Sequence, residues 1–211
     1  MRKLAWTAVL AVSVVTATAS VADACSRGVS AKAASTLVPS TGINQRLLDD
    51  AIRVEVNYHR CRAGLAGVRD AGSSLKKQAM THSKWMARTK KLSHTNTIAG
   101  ASTLGERIRK SGIKYRAGSE NIVMVHRYQI DNKRFKVVNR QQCTFATRGG
   151  KQIPAHSYAT LARHAVNLWM GSPGHRKNIL DKRVSLMSTA VAPEPNGKYC
   201  GRYWLTQNFI G

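Results

Sequence analysis

Acidic residues are scarce in this sequence. Ten Asp and Glu residues stand against 34 Lys and Arg residues in a chain of 211, which gives a formal net charge of +24 at pH 7. Such an excess keeps a protein soluble and attracts it over long range to anionic surfaces such as lipids, acidic glycans or nucleic acid. The attraction is generic and falls with salt, so the charge indicates an anionic partner without choosing among these.

Aromatic residues are also few, at 6% of the chain, and few of them interleave with the basic runs. Proteins that bind single-stranded nucleic acid stack the bases on aromatic side chains along a basic groove. Because no such platform is visible, nucleic acid is a less favoured partner than an anionic surface made of lipid or cell-envelope glycan.

Long apolar runs are missing beyond the N-terminus. The run at residues 4–15 follows Arg2 and Lys3 and is shorter than the roughly 20 apolar residues that cross a bilayer. An A-x-A pattern for signal peptidase follows at residues 22–24. We therefore predict a signal peptide over residues 1–24 rather than a membrane anchor. After its cleavage, a protein without a transmembrane segment would be secreted to the periplasm or the extracellular space.

Cysteine is limited to four residues, and no pair has the C-x-x-C spacing of a metal or redox motif. An even number of cysteines in an exported chain predicts two disulfides. Four cysteines allow three pairings, among which the sequence does not decide. Our working prediction pairs Cys143 with Cys200 and Cys25 with Cys61.

The length favours a single domain. Residues 25–42 are small and polar and predict a flexible linker, so the domain would span residues 43–211. Apolar residues at helical spacing predict four helices, the last over about 158–170, and two closing strands follow in "SLMSTAVAPE" and "GRYWLTQNFIG". Helices that precede strands indicate an α+β fold.

Residues 127–157 have the character of an insertion. Partial alternation around Phe135 and Val137, with a turn at 148–151, predicts a hairpin or an extended arm. Its first 25 residues carry seven basic residues and one acid, Asp131. The arm could contact an anionic partner or could be a solvated charged hairpin, and the sequence favours neither.

Candidate site residues stand at the boundaries of the predicted elements: His94, Glu120, Ser172 and His175. Two imidazoles and a carboxylate can hold zinc with a position open for water, or the carboxylate can orient an imidazole that acts as a base. By composition alone, however, seven His and ten acidic residues supply such a set by chance, and the spacings match no local metal motif.

Five blocks in order resemble the CAP superfamily, also called the SCP domain: "AMTHSKWMA" with "LSHT", "SENIV", "WMGSPGHRKNIL" and "YWLTQNFIG". The superfamily includes cysteine-rich secretory proteins, antigen 5 and pathogenesis-related protein 1, and this chain looks like its secreted bacterial branch. The resemblance implies an α-β-α sandwich with a central antiparallel sheet. It also implies a cleft lined by a His, Glu, Glu, His tetrad, which binds zinc or another divalent metal in some members.

By this resemblance, the tetrad falls on His94, Glu120 and His175, with His94 and His175 as candidate metal ligands. The second Glu is replaced by Ser172, as is usual in the bacterial branch, and Ser119 replaces the glycine of the usual "GEN". With one carboxylate left, a mechanism that needs two carboxylates is excluded.

Two functions remain as expectations. The favoured one is a non-catalytic secreted module that binds an anionic envelope, lipid or polysaccharide partner through the basic arm. The alternative is a metal-assisted hydrolase, in which His94 and His175 bind the metal and Glu120 polarises the bound water. Arg107 and Arg176 are each candidates to brace Glu120 as a charge-assisted partner.

Overall fold

The computed structural model describes residues 25–211, so the predicted signal peptide at 1–24 lies outside the described residues. The helices are α1 (Ala31–Ser35), α2 (Gln45–Arg62), α3 (Ser73–Thr89), α4 (Leu104–Lys110), α5 (Tyr158–Gly171) and α6 (Pro173–Ile179). The strands are β1 (Arg69–Asp70), β2 (Gly118–His126), β3 (Phe135–Asn139), β4 (Thr144–Thr147), β5 (Leu186–Glu194) and β6 (Arg202–Ile210).

A four-stranded sheet in the order β1-β5-β6-β2 forms the centre of the fold. Strand β6 pairs antiparallel with both β5 and β2, and only the two-residue β1 runs parallel to its neighbour. Since β2 is an edge strand, one row of its backbone groups is available to other elements. The predicted α+β fold with a mainly antiparallel central sheet is confirmed.

Helices cover both faces of this sheet. Helices α2 and α5 pack on one face through apolar residues at helical spacing, and the sheet contributes alternate residues to that core: Val125, Met187, Val191, Tyr203, Leu205 and Phe209. Helix α3 covers the other face, where Trp85 and Met86 pack on Ile122 and Trp204. Glu120 has the same parity along β2 as Ile122, so its side chain lies on the α3 and α4 side.

The segment at residues 25–42 differs from the prediction. We expected a flexible linker, but the structure packs this segment against the domain. Cys25 is bonded to Cys61, and Ala33 and Val38 are buried in the main core. The Val38 amide also donates to the His156 carbonyl at 2.9 Å. The prediction of a linker rested on composition alone. A disulfide and long-range contacts produce no periodic pattern in the sequence from which this packing could be predicted.

The predicted basic insertion at 127–157 contains the hairpin of β3 and β4. It has a small core of its own, in which Ile130, Phe145 and Ile153 are buried. The Cys143–Cys200 disulfide ties the hairpin to the turn between β5 and β6. Both disulfides therefore pair as predicted, and the arm is anchored at its far end as well as at its two ends in sequence.

No helix within residues 25–211 has the length and apolar character needed to span a bilayer.

Candidate functional site

The edge strand β2 positions Glu120 at one end of the sheet. On its paired side, Glu120 lies opposite Asn208 of β6. On its free side, the Glu120 carbonyl accepts a hydrogen bond from Asn178 Nδ2 of α6 at 3.1 Å, and the Ile122 carbonyl accepts one from Trp169 Nε1 of α5 at 3.1 Å. These side chains satisfy the edge backbone and hold α6 beside Glu120.

Arg107 is the direct partner of the Glu120 carboxylate. Its Nη2 donates to Glu120 Oε2 at 2.6 Å, and both side chains are almost completely buried. The same guanidinium donates to the carbonyls of His94 at 3.1 Å and Ser102 at 3.1 Å. A buried charge pair of this kind is stable only when hydrogen bonds satisfy its remaining groups. Here both terminal nitrogens of the Arg107 guanidinium, Nη1 and Nη2, donate hydrogen bonds.

His94 lies at the surface end of the group predicted to line a cleft, in the loop after α3. Its Nδ1 is 3.0 Å from Glu120 Oε1, and 56% of its side-chain surface is exposed. A carboxylate that accepts from Nδ1–H fixes the ring tautomer and leaves the Nε2 lone pair for another ligand or proton. Arg107, Glu120 and His94 therefore form a continuous chain from the interior to the surface.

His175 faces His94 from helix α6. The two ring centroids are 6.3 Å apart with an interplanar angle of 52°. Burial and then the nearby His94 ring lower the pKa of His175. Because the backbone carbonyl of His175 also accepts from Asn121 Nδ2 at 3.3 Å, the start of α6 is tied to β2.

Two further predicted site residues, Ser172 and Arg176, do not contact the Glu120 carboxylate. Ser172 is the residue between α5 and α6, and it makes no side-chain capping bond at the start of α6. Arg176 is exposed, and its side chain makes no ion pair with any acid in residues 25–211. Of the two candidate partners for Glu120, the structure brings Arg107 to the carboxylate and leaves Arg176 on the surface.

A buried polar layer lies below His94. His82 is a hydrogen-bonded core histidine in this layer, and its Nε2 lies 2.8 Å from the Ser93 carbonyl. Asn96 Nδ2 donates to His82 Nδ1 at 3.0 Å, so Nε2 carries the proton. Burial is the main cause that lowers the pKa of His82. The role of Asn96, like that of Asn121, was not predicted, because a single amide side chain has no distinctive sequence pattern.

The donor set of this cleft is limited for a metal ion. Two imidazoles bound tetrahedrally to one zinc at about 2.0–2.1 Å would have ring centroids roughly 5 Å apart. The ring centroids of His94 and His175 are farther apart than that, at 6.3 Å. Glu120 already accepts from Arg107 and lies on Nδ1 of His94, the position of an outer-shell carboxylate. The cleft thus offers two imidazoles, whereas catalytic zinc sites use three protein ligands. It does not fit a catalytic zinc centre.

Comparison with known protein families identifies the domain. The model of the cysteine-rich secretory protein family, CAP, matches residues 55–209, well over half of the chain. The chain belongs to the CAP family. The CAP match begins within α2 and ends within β6, and so includes His94, Glu120 and His175.

Two solved structures share this CAP fold. An extracellular protein containing an SCP domain from Bacillus anthracis str. Ames is 22% identical with a TM-score of 0.51, over 79% of this chain and 41% of that one. An outer surface protein from Borrelia burgdorferi is 12% identical with a TM-score of 0.50, over 76% of this chain and 90% of that one. This chain therefore spans about two fifths of the Bacillus protein. At these identities the likeness describes the fold alone. A comparison with curated proteins found no match.

Proposed function

We propose that this CAP protein is a secreted, non-catalytic binding module that contacts an anionic membrane surface through its basic hairpin. Secretion is supported by two disulfides, which form in oxidising compartments, and by structural neighbours that are described as extracellular or outer-surface proteins. The proposal covers secretion to either the periplasm or the extracellular space.

The observation that carries the proposal is the exposed charge of the hairpin region. Six of its basic side chains are exposed, and in the described part of the chain none of them forms an ion pair: Lys133, Arg134, Lys136, Arg140, Arg148 and Lys151. Each basic residue close to an anionic bilayer contributes about 1 kcal/mol of binding free energy. Six such residues would together contribute at most about 6 kcal/mol, which supports reversible association.

Most acidic residues elsewhere are already neutralised by neighbours. Eight of the nine acids in residues 25–211 lie within 4.0 Å of a basic or histidine nitrogen. The ninth, Glu106, accepts hydrogen bonds from Ser102 and Thr103 in the capping box of α4. The excess positive charge on the surface therefore has few intramolecular partners and remains available to an external anion.

Exposed apolar residues on the same hairpin favour a lipid surface over a glycan. Val137 and Val138 lie on β3 among the basic residues, and Val138 is 62% exposed. Val137 also lines a cavity of about 500 Å³, together with Phe145 and Tyr199 and the basic residues Arg140 and Lys198. Apolar side chains that enter the headgroup region add to electrostatic attraction, whereas a polysaccharide offers them no apolar layer.

The cleft geometry favours binding over catalysis. The single carboxylate, Glu120, is held by Arg107 and His94. Position 172, where the tetrad has its second carboxylate, is a serine. The set therefore lacks the third ligand of a catalytic zinc and the second acid of a two-carboxylate mechanism. In this proposal, Glu120 and Arg107 hold the loop after α3 and helix α4 against β2, and His94 and His175 line a surface cleft.

Vesicle binding tests the proposal. We expect the protein to sediment with phosphatidylglycerol vesicles but not with phosphatidylcholine vesicles, and to dissociate as salt rises. The register pairs Phe135 with Thr147, so Arg134 and Arg148 flank one end of the hairpin near Lys136. Reversing these three charges to Glu should weaken binding by about 100-fold or more, since at least three contacts of about 1 kcal/mol are lost.

A matched control reverses three exposed basic residues outside the hairpin, Lys110, Lys114 and Lys182, and so changes the net charge equally. It should lose much less affinity. An equal loss in both variants would mean that net charge, rather than the hairpin, determines binding. Strong binding to an acidic polysaccharide without vesicle binding would contradict the choice of lipid.

A further inference from the structure

The base of the insertion gathers three side chains that can bind a metal, away from the His94 cleft. One ligand atom from each of Asp131, His156 and His164 lies within 4.8 Å of the other two. This is the only such group of three or more among residues 25–211. Asp131 follows β2, His156 directly precedes the capping residue of α5, and His164 lies two turns along α5.

The Asp131 carboxylate is held in a fixed orientation. His126 Nδ1 lies 2.5 Å from Oδ1, and the His126 backbone amide donates to Oδ2 at 3.0 Å. His164 Nε2 is 3.2 Å from the same Oδ2. That separation is close to the roughly 3.3 Å expected between two ligand atoms on one tetrahedral zinc.

The His156 imidazole presents a buried nitrogen atom, Nε2, without a hydrogen-bond partner among residues 25–211. Nε2 of His164, in contrast, faces Asp131 Oδ2 at 3.2 Å. His156 Nδ1 lies 3.2 Å from the Thr160 hydroxyl, which itself donates to the Ser157 carbonyl. With the Thr160 hydroxyl hydrogen used in that bond, we assign the proton of neutral His156 to Nδ1, which leaves the lone pair that binds metals on Nε2. Buried polar atoms are nearly always paired, so the unpaired Nε2 of His156 beside Asp131 and His164 indicates a missing ligand.

A cavity of about 250 Å³ opens beside these atoms. It is lined by Gln129 and Asn167 and by two basic residues, Lys133 and Arg163. A dication bound by one carboxylate and two neutral imidazoles keeps one net positive charge. The basic lining therefore favours an anion or hydroxide, rather than a further neutral group, as the ligand that faces the cavity.

We propose that Asp131, His156 and His164 form a zinc site whose fourth position faces this cavity, with His126 as a positioning residue for Asp131. Imidazole and carboxylate ligands in this number suit Zn²⁺, and three protein ligands leave one position open. The site joins the segment after β2 to α5. Zinc would consequently fix the base of the insertion that carries the basic hairpin.

Zinc titration of the purified, metal-stripped protein tests the site. Isothermal titration calorimetry should detect one Zn²⁺ per chain at micromolar concentration. His164→Ala and Asp131→Asn should each weaken the affinity by more than about 100-fold, and His126→Gln by about 10- to 100-fold, as outer-shell changes do. The double variant His94→Ala/His175→Ala should keep the wild-type affinity, because it alters only the other cleft.

Cobalt spectroscopy separates metal binding from folding. Co²⁺ bound to the wild-type protein should show the visible bands of a four-coordinate site, and these should disappear in His164→Ala. Circular dichroism of the metal-free variant should match the wild type, since His164 is partly exposed. The proposal is overturned if the wild type binds no zinc at submillimolar concentration, or if zinc binding survives His164→Ala and is lost in His94→Ala/His175→Ala.

Discussion

Replacing Arg107 by methionine should destabilise the fold more than any exposed substitution. The change keeps an unbranched side chain of similar length but removes the cation beside Glu120. Arg107 Nη2 is 2.6 Å from Glu120 Oε2 and 3.1 Å from the His94 carbonyl, in an environment without solvent. The substitution therefore leaves a buried carboxylate without a counter-charge and unpaired carbonyl groups nearby.

The magnitude follows from the burial of both partners. Removing one partner of a buried ion pair costs about 3–5 kcal/mol. The total stability of a domain is only about 5–15 kcal/mol, so this is a large part of it. At about 2–4 °C per kcal/mol for a domain of this size, the melting temperature should fall by about 10 °C. Arg107→Met/Glu120→Gln should recover part of the loss, because it removes the unpaired charge as well.

Urea unfolding followed by circular dichroism measures these differences. Arg176→Met is the matched control, because Arg176 is exposed and forms no ion pair within residues 25–211. Its free energy of unfolding should stay within about 0.5 kcal/mol of wild type. An Arg107→Met variant that loses less than about 1 kcal/mol would refute the claim that Arg107 and Glu120 form a structural ion pair.

Two further predictions concern the N-terminal segment. The Tyr203 hydroxyl lies 2.9 Å from the Val38 carbonyl and 3.1 Å from that of Pro39, and burial raises the pKa of Tyr203 to about 12. Tyr203→Phe should cost about 1–2 kcal/mol at neutral pH, and unfolding curves should show this difference shrinking from about pH 10 to 12, because the unfolded state ionises first. The Cys25–Cys61 disulfide closes a loop with a sequence separation of 36, so Cys25→Ala/Cys61→Ala should lose about 3–4 kcal/mol in urea unfolding. An unchanged urea midpoint in either variant would contradict the packing of residues 25–42 against the domain.

Much of the fold could be predicted from local pattern. Apolar spacing predicted a helix over about 158–170, and α5 spans Tyr158–Gly171. The two closing segments form β5 and β6. These elements are long and contain one buried face, so the period of their apolar residues is visible in the sequence.

Other features depend on contacts that no local pattern records. Ser172, Pro173 and Gly174 are residue types typical of a turn, but Pro173 opens the short helix α6, where a missing amide hydrogen has no cost. The packing of residues 25–42 depends on a disulfide and on backbone bonds to distant residues. The Asp131, His156 and His164 group joins three separate positions along the chain, and its spacing matched no metal motif.

The most direct test of function compares two variants in one vesicle titration. One variant reverses Arg134, Lys136 and Arg148 to Glu in the basic hairpin, and the other is His94→Ala/His175→Ala in the cleft. If the hairpin carries the contact, phosphatidylglycerol binding falls by about 100-fold in the first variant and stays at the wild-type level in the second. Full binding by the hairpin variant, with loss of binding in the cleft variant, would contradict the proposed function.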